Sequence, residues 1–200
     1  MIPDSNSYFS VPHSFNAYLS YWDASQGLPS ENELKDMQSV GLKLLTEVKS
    51  LEASCLLQLR NLDNDAKAVV DFLKLQSRKV DLVLQHVLEN ETQEGKKVNG
   101  MQFGGSGINV TSSFELTPGD YYKTHIYLHT EVVALLCICQ VTQCHQINPQ
   151  NDSSPAWQCE LEFSQILEDD IEQLVKASLA VQQKMLKKRI HVDDANVLVM

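Results

Sequence analysis

The spacing of apolar positions changes twice along this 200-residue chain. Between Glu31 and about Glu91 apolar residues recur in steps of four and three: Leu44, Val48, Leu51 and Cys55, then Leu62, Ala66, Val69, Leu73, Val80, Val83 and Val87, with Gln76 standing at one step. Such steps put side chains on a single stripe of a helix, the a and d positions of a heptad. The stretch holds no proline and one glycine, Gly41, and is dense in Leu, Lys, Glu and Gln, so it is predicted helical throughout. Ser30, with Glu33 three residues on, reads as an N-cap and capping box that starts the helix at about Glu31. Asn61 to Asp65 are poor helix formers and good caps. They favour two antiparallel helices over one rod. Each arm would be about 45 Å long, more than a small barrel can cover. Part of the stripe then needs a helical partner, and a second copy of the chain is the economical one; the other reading is that the stripe packs on a neighbouring sheet. Gln76 is either a polar interruption that fixes register or a solvent-facing residue.

Outside that stretch the period falls toward two. Phe15, Ala17, Leu19 and Tyr21 alternate with Asn16, Tyr18 and Ser20, which predicts a half-buried strand between Tyr8 and Trp22. After Gly95, strands are predicted at Val98 to Phe103, Gly107 to Ser112, Tyr121 to Glu131, Val132 to His145 and Trp157 to Phe163. Gly104 to Gly107 form a flexible bend, and Thr117-Pro118-Gly119-Asp120 is a turn. Six short strands suffice for a small closed or nearly closed barrel. Helical spacing returns from Glu168 to Arg189, with acidic residues at its start and Lys187, Lys188 and Arg189 at its end, matching a helix macrodipole. The fold class is therefore α+β. A first strand segment spans 1–30, an inserted helical hairpin 31–92, the rest of the barrel 93–166, a closing helix 167–190 and a loose tail 191–200.

Charge narrows the function. Sixteen basic against 26 acidic side chains give a net charge of −10, which disfavours nucleic acid and anionic lipid as partners. No apolar run approaches the ~20 residues of a membrane span. Met1 to Ser10 lack the cationic and apolar regions of an export signal, so a cytoplasmic address is expected. The five cysteines then read as free thiols, mostly buried. Cys137, Cys139, Cys144, His145 and Cys159 lack the paired spacing of structural zinc sites, and no metal is expected. His125 and His129 share a strand face, but nothing pairs them with a positioned nucleophile, so they read as exposed strand histidines and no catalytic residue is assigned.

Gly107-Ile108-Asn109-Val110, then Phe114-Glu115-Leu116-Thr117-Pro118-Gly119-Asp120, then the late strand ending in Glu162-Phe163 and the acidic entry to the last helix follow one another in an order that resembles a PilZ domain. This family has a small six-stranded barrel and is best known for bacterial receptors of the second messenger cyclic di-GMP. Heptad-bearing helices after the first strand resemble an atypical branch in which such helices assemble barrels into tetramers. The resemblance implies a cyclic di-GMP signalling context, self-association and a protein partner.

Departures from the family pattern bear on the nucleotide. Its ligand site has an arginine entry motif, R-x-x-x-R, yet Ser5 to Ser10 stand there with no arginine. Its second motif, Asp/Asn-x-Ser-x-x-Gly, maps onto Gln102, Gly104 and Gly107, where only the final glycine is kept. Arginine suits a dianion rich in guanine, because its forked donors pair with phosphate and with guanine O6 and N7. Losing several such contacts at about 1.5 to 3 kcal/mol each removes affinity by decades. The expectation is a non-enzymatic adaptor with a degenerate nucleotide site and no cofactor. The alternative is a genuine cyclic di-GMP receptor that uses Arg60, Arg78, Lys79 or Arg189, brought in from a neighbouring subunit.

Overall fold

The computed structural model describes residues 10–59, 67–147 and 156–197. The chain divides into two compact units, one of residues 1–34 with 94–200 and one of residues 35–93. The first holds strands β1 (Val11–Trp22), β2 (Lys96–Phe103), β3 (Gly107–Ser112), β4 (Tyr121–Leu128), β5 (Val133–Ile147) and β6 (Ala156–Gln165). They close into an antiparallel barrel in the order β1-β2-β3-β6-β5-β4, with β4 paired back to β1.

Alternation along the strands fills the interior. Phe15, Ala17 and Leu19 from β1 meet Val98 and Phe103, Ile108 and Val110, Ile126 and Leu128, and Cys159 and Leu161. Helix α4 (Glu168–Val197) adds Leu174, Ala177 and Val181 to the same cluster. Lys184 on α4 reaches Glu131 at 3.0 Å, and His13 Nε2 lies 2.9 Å from the other oxygen of that carboxylate, so one buried acid ties helix, first strand and the β4–β5 turn. In the Thr117–Asp120 turn Pro118 precedes Gly119 at φ +95, and the Asp120 amide donates to the Thr117 carbonyl at 3.1 Å. That is a type II turn, whose third residue needs the left-handed region. Gly107 is required for a different reason: a Cβ there would lie 2.3 Å from the Leu161 carbonyl oxygen, so β3 and β6 approach closely only because position 107 carries no side chain.

Three helices follow β1: α1 (Glu31–Asp36), α2 (Val40–Leu59) and α3 (Lys67–Asn90). The capping box is present, with the Ser30 amide donating to Glu33 at 2.8 Å and the Glu33 amide to the Ser30 hydroxyl at 3.4 Å. The Ser30 amide, and then the Ser30 hydroxyl, which also donates to that carboxylate at 2.8 Å, hold the Glu33 carboxyl below its ordinary range. Continuous helix from Glu31 is corrected, because the helix stops after Asp36 and restarts at Val40. Ser39 caps the restart by accepting from the Leu42 amide at 3.1 Å.

Helices α2 and α3 run antiparallel as a hairpin. At its base Glu91 accepts from the Ser39 hydroxyl at 2.7 Å and from the Gly41 amide at 2.8 Å. Farther along, Lys49 pairs with Asp81, and Ser77 donates to Glu52. Leu42, Leu45, Leu84 and Leu88 are the buried apolar residues of this contact.

Two further expectations are corrected. Helix α4 continues through His191 to Val197 in place of a loose tail, since no glycine or proline interrupts it. Lys187, Lys188 and Arg189 therefore sit inside the helix, and only its acidic first turn (Glu168, Asp169, Asp170) complements the dipole. Second, His125 and His129 are not a pair of exposed strand residues: His125 is buried with Thr124 to Leu128, and His129 lies half-buried just past the end of β4.

Replacing Glu91 with alanine removes two bonds to a charged acceptor, and we expect a loss of about 1 to 3 kcal/mol. Hydrogen exchange at the Gly41 amide should accelerate more than exchange in the barrel strands. Gly107→Ala should destabilise the barrel by about 1 to 3 kcal/mol through enforced separation of β3 and β6, read as a lower urea midpoint.

Candidate functional site

Gln102 and Gly107 line a cleft of about 460 Å³ on the outer wall of the barrel. Its floor is a row of side chains in cross-strand register: Gln102 on β2 opposes Asn109 on β3, Asn109 opposes Glu160 on β6, and Glu160 opposes Gln143 on β5. Glu162, opposite Gly107, adds a second carboxylate. Outward positions are two residues apart on each strand, so Glu160 and Glu162 flank inward Leu161, as Gly107 and Asn109 flank inward Ile108.

Three of these polar groups are already engaged with one another. The Gln102 amide nitrogen donates to the Ser10 hydroxyl, and Asn109 Nδ2 approaches the Gln102 carbonyl oxygen at 3.4 Å. Gly104 does not line the cleft. It is buried in the β2–β3 bend, where its amide donates to the Gly107 carbonyl at 3.0 Å.

Among the described residues the lining holds two carboxylates, amides and hydroxyls, and no lysine or arginine. Such a surface accepts hydrogen bonds from neutral polar or cationic groups and repels a dianion. Lys96, close by in sequence, lies over the Phe114 ring at 4.6 Å, and Lys123 is paired with Glu94, whose carboxyl it holds below its ordinary range. Arg78 and Lys79 are exposed on α3 in the helical unit. Arg60, and the side chain of Arg189, lie outside the described residues.

Of the positions singled out through the family resemblance, Gln102 and Gly107 line this cleft; Ser10, Asn109, Gln143, Glu160 and Glu162, which line it too, were not singled out. A signal for part of it was present: Glu160-Leu161-Glu162 reads polar, apolar, polar on a strand, which sends both carboxylates outward. The pairing of β6 with β3, which brings them to Gly107, is not written in local sequence. Among the described residues no three His, Cys, Asp or Glu side chains gather as a metal would require. His129 lies 3.0 Å from Asn16 Nδ2, and His145 lies 3.1 Å from Gln143.

The predicted heptad stripe forms a second feature, in the helical unit. Leu44, Leu51, Val69, Leu73, Val80, Val83 and Val87 are all exposed, with Leu51 at 61% and Val83 at 63% accessibility. Val48 is half-buried, and Leu62 and Ala66 lie outside the described residues. The contact inside the hairpin uses a different stripe, one residue later on both helices: Leu45, Lys49 and Glu52 beside Leu44, Val48 and Leu51, and Ser77, Asp81, Leu84 and Leu88 beside Gln76, Val80, Val83 and Val87. One residue is a rotation of about 100°, so each helix carries an inner stripe that packs in the hairpin and an outer one that does not.

No known family profile matches the chain, and no curated protein matches it. Solved structures do. A PilZ-domain protein from Xanthomonas campestris, described as a tetramer self-assembled through a helical bundle, is similar at 10% identity over 94% of this chain and 96% of that one, with a TM-score of 0.50. The PilZ domain of YcgR from Escherichia coli, with c-di-GMP, is similar at 11% identity over 46% of this chain and 76% of that one, with a TM-score of 0.38. MrkH of K. pneumonia in its apo state is similar at 14% identity over 46% of this chain and 43% of that one, with a TM-score of 0.43, so the chain spans less than half the length of that relative. No described helix is long and apolar enough to cross a membrane. With a closed six-stranded barrel, helices between its first and second strands, and a likeness that runs along almost the whole of the Xanthomonas chain, this chain has the fold of a PilZ domain carrying an inserted helical hairpin.

Proposed function

We propose that this chain is a non-enzymatic adaptor of cyclic di-GMP signalling, which self-associates through the outer stripes of α2 and α3 and presents its barrel to a protein partner. The observation that carries the reading is the outer stripe itself: seven seam residues, Leu44, Leu51, Val69, Leu73, Val80, Val83 and Val87, face solvent at heptad spacing while a separate stripe already holds the hairpin together. A stripe with a/d periodicity fits between the knobs of another helix. The tetrameric Xanthomonas protein, self-assembled through a helical bundle, supports a second copy of the chain as that partner.

The cleft supports the adaptor over the receptor. Its lining offers Glu160 and Glu162 where a doubly charged nucleotide needs guanidinium groups, and Gln102 is committed to Ser10 and Asn109. The signalling context itself rests on the family resemblance.

Calorimetry of the full chain against cyclic di-GMP should give no saturable heat in the micromolar range. Micromolar binding that disappears in Arg78→Ala or Lys79→Ala would replace the adaptor with a receptor. Self-association makes thermal stability depend on protein concentration. The melting temperature of the full chain should therefore rise with concentration, whereas a Val80→Asp, Val83→Asp variant should melt lower and at the same temperature at every dilution. A concentration-independent melt of the unaltered chain would refute the seam.

A further inference from the structure

Four of the five cysteines lie on β5 and β6, and two of them face each other between the strands. Cys144 and Cys159 are directly opposed in the β5–β6 register, with their sulfurs 2.8 Å apart. Directly opposed residues of an antiparallel pair have Cα atoms about 4.5 to 5.5 Å apart, within the range of about 4.4 to 6.8 Å that a disulfide spans. No backbone movement is needed to join them.

Access differs between the two. Cys144 is partly exposed and Cys159 is buried. Burial, followed by the neighbouring Cys144 thiol, pushes Cys159 up to about 12, so it rests as a protonated thiol. The other thiols are differently placed. Cys137 and Cys139 have sulfurs 3.5 Å apart but are fully buried and sit two residues apart on one strand, where the backbone holds their Cα atoms about 6.6 Å apart with parallel side chains. Cys55 is exposed on α2, in the other unit.

We propose that Cys144 and Cys159 form an oxidant-responsive cross-strand dithiol, closed to a disulfide by a hydroperoxide. Cys144, the reachable sulfur, attacks the peroxide oxygen; the O–O bond breaks, one water leaves with the thiol proton, and Cys144 becomes a sulfenic acid. Cys159 then attacks the Cys144 sulfur, and the sulfenic hydroxyl leaves as a second water with the Cys159 proton. Two thiols and one hydrogen peroxide give one disulfide and two waters, the two electrons passing from sulfur to peroxide. A dithiol reductant reverses the step.

The bond would fall at a sensitive place in the barrel. The β5–β6 register shifts between Val141 and Gln143, immediately before Cys144, and Gln143 and its partner Glu160 line the cleft. A covalent tie at the next pair fixes that wall. The inference is independent of the adaptor reading.

The test is peptide mapping of the full chain, reduced, freed of reductant, treated with hydrogen peroxide and then alkylated with N-ethylmaleimide in denaturant. The expected product is a linked peptide pair containing Cys144 and Cys159, lighter by two hydrogens and opened by dithiothreitol. In Cys159→Ser, which removes the resolving thiol, Cys144 should stop as a sulfenic acid trapped by dimedone. Recovery of both residues as maleimide adducts after exposed Cys55 has oxidised, or Cys144 ending as sulfinic acid in the unaltered chain, would overturn the proposal.

Discussion

A hairpin of two helices can bury only one stripe of each, and here that stripe is spoken for. Leu42, Leu45, Leu84 and Leu88, with the Lys49–Asp81 pair, fill the contact between α2 and α3, and Glu91 pins its base. The heptad residues one position earlier are left facing water. Each of these valines and leucines, about half exposed, gains roughly 1 kcal/mol on full burial, so the seven together represent several kcal/mol that isolated hairpins forgo. Exposed apolar residues scattered singly would need no explanation. A continuous stripe at heptad spacing does, and the assembly proposed for this chain follows from it.

The barrel meets the opposite constraint, a polar outer face that must satisfy itself. The row Gln102, Asn109, Glu160 and Gln143 crosses four strands, and each amide can both donate and accept. Close approach of β3 to β6, permitted by Gly107, is what brings Glu160 and Glu162 beside Gly107 and Asn109. The carboxylates of this row accept hydrogen bonds from neutral or cationic groups and repel anions.

Much of the fold was legible in sequence because its signals are local. Ser30 with Glu33, the Thr117–Asp120 turn and the alternation of Phe15, Ala17 and Leu19 each specify their own few residues, and the structure places them as read. The heptad steps picked out a stripe that stands exposed, but not that a second stripe, one residue on, builds the hairpin; Lys49, Glu52, Ser77 and Asp81 are polar and carry no hydrophobic period. The break at Met37 to Ser39 was hidden for a similar reason, since its cap is completed by Glu91, fifty-two residues away from Ser39. Burial of His125 depends on what covers the outer face of β4, and the cleft depends on which strands pair. Both are long-range facts that period and composition do not encode.

The proposed assembly requires the outer stripes to be covered by further copies of this chain. Sedimentation equilibrium of the 200-residue chain measures that directly. A single species whose mass is a fixed multiple of 22.5 kDa across the accessible concentrations is the predicted result, and a mass of 22.5 kDa at every concentration would contradict it.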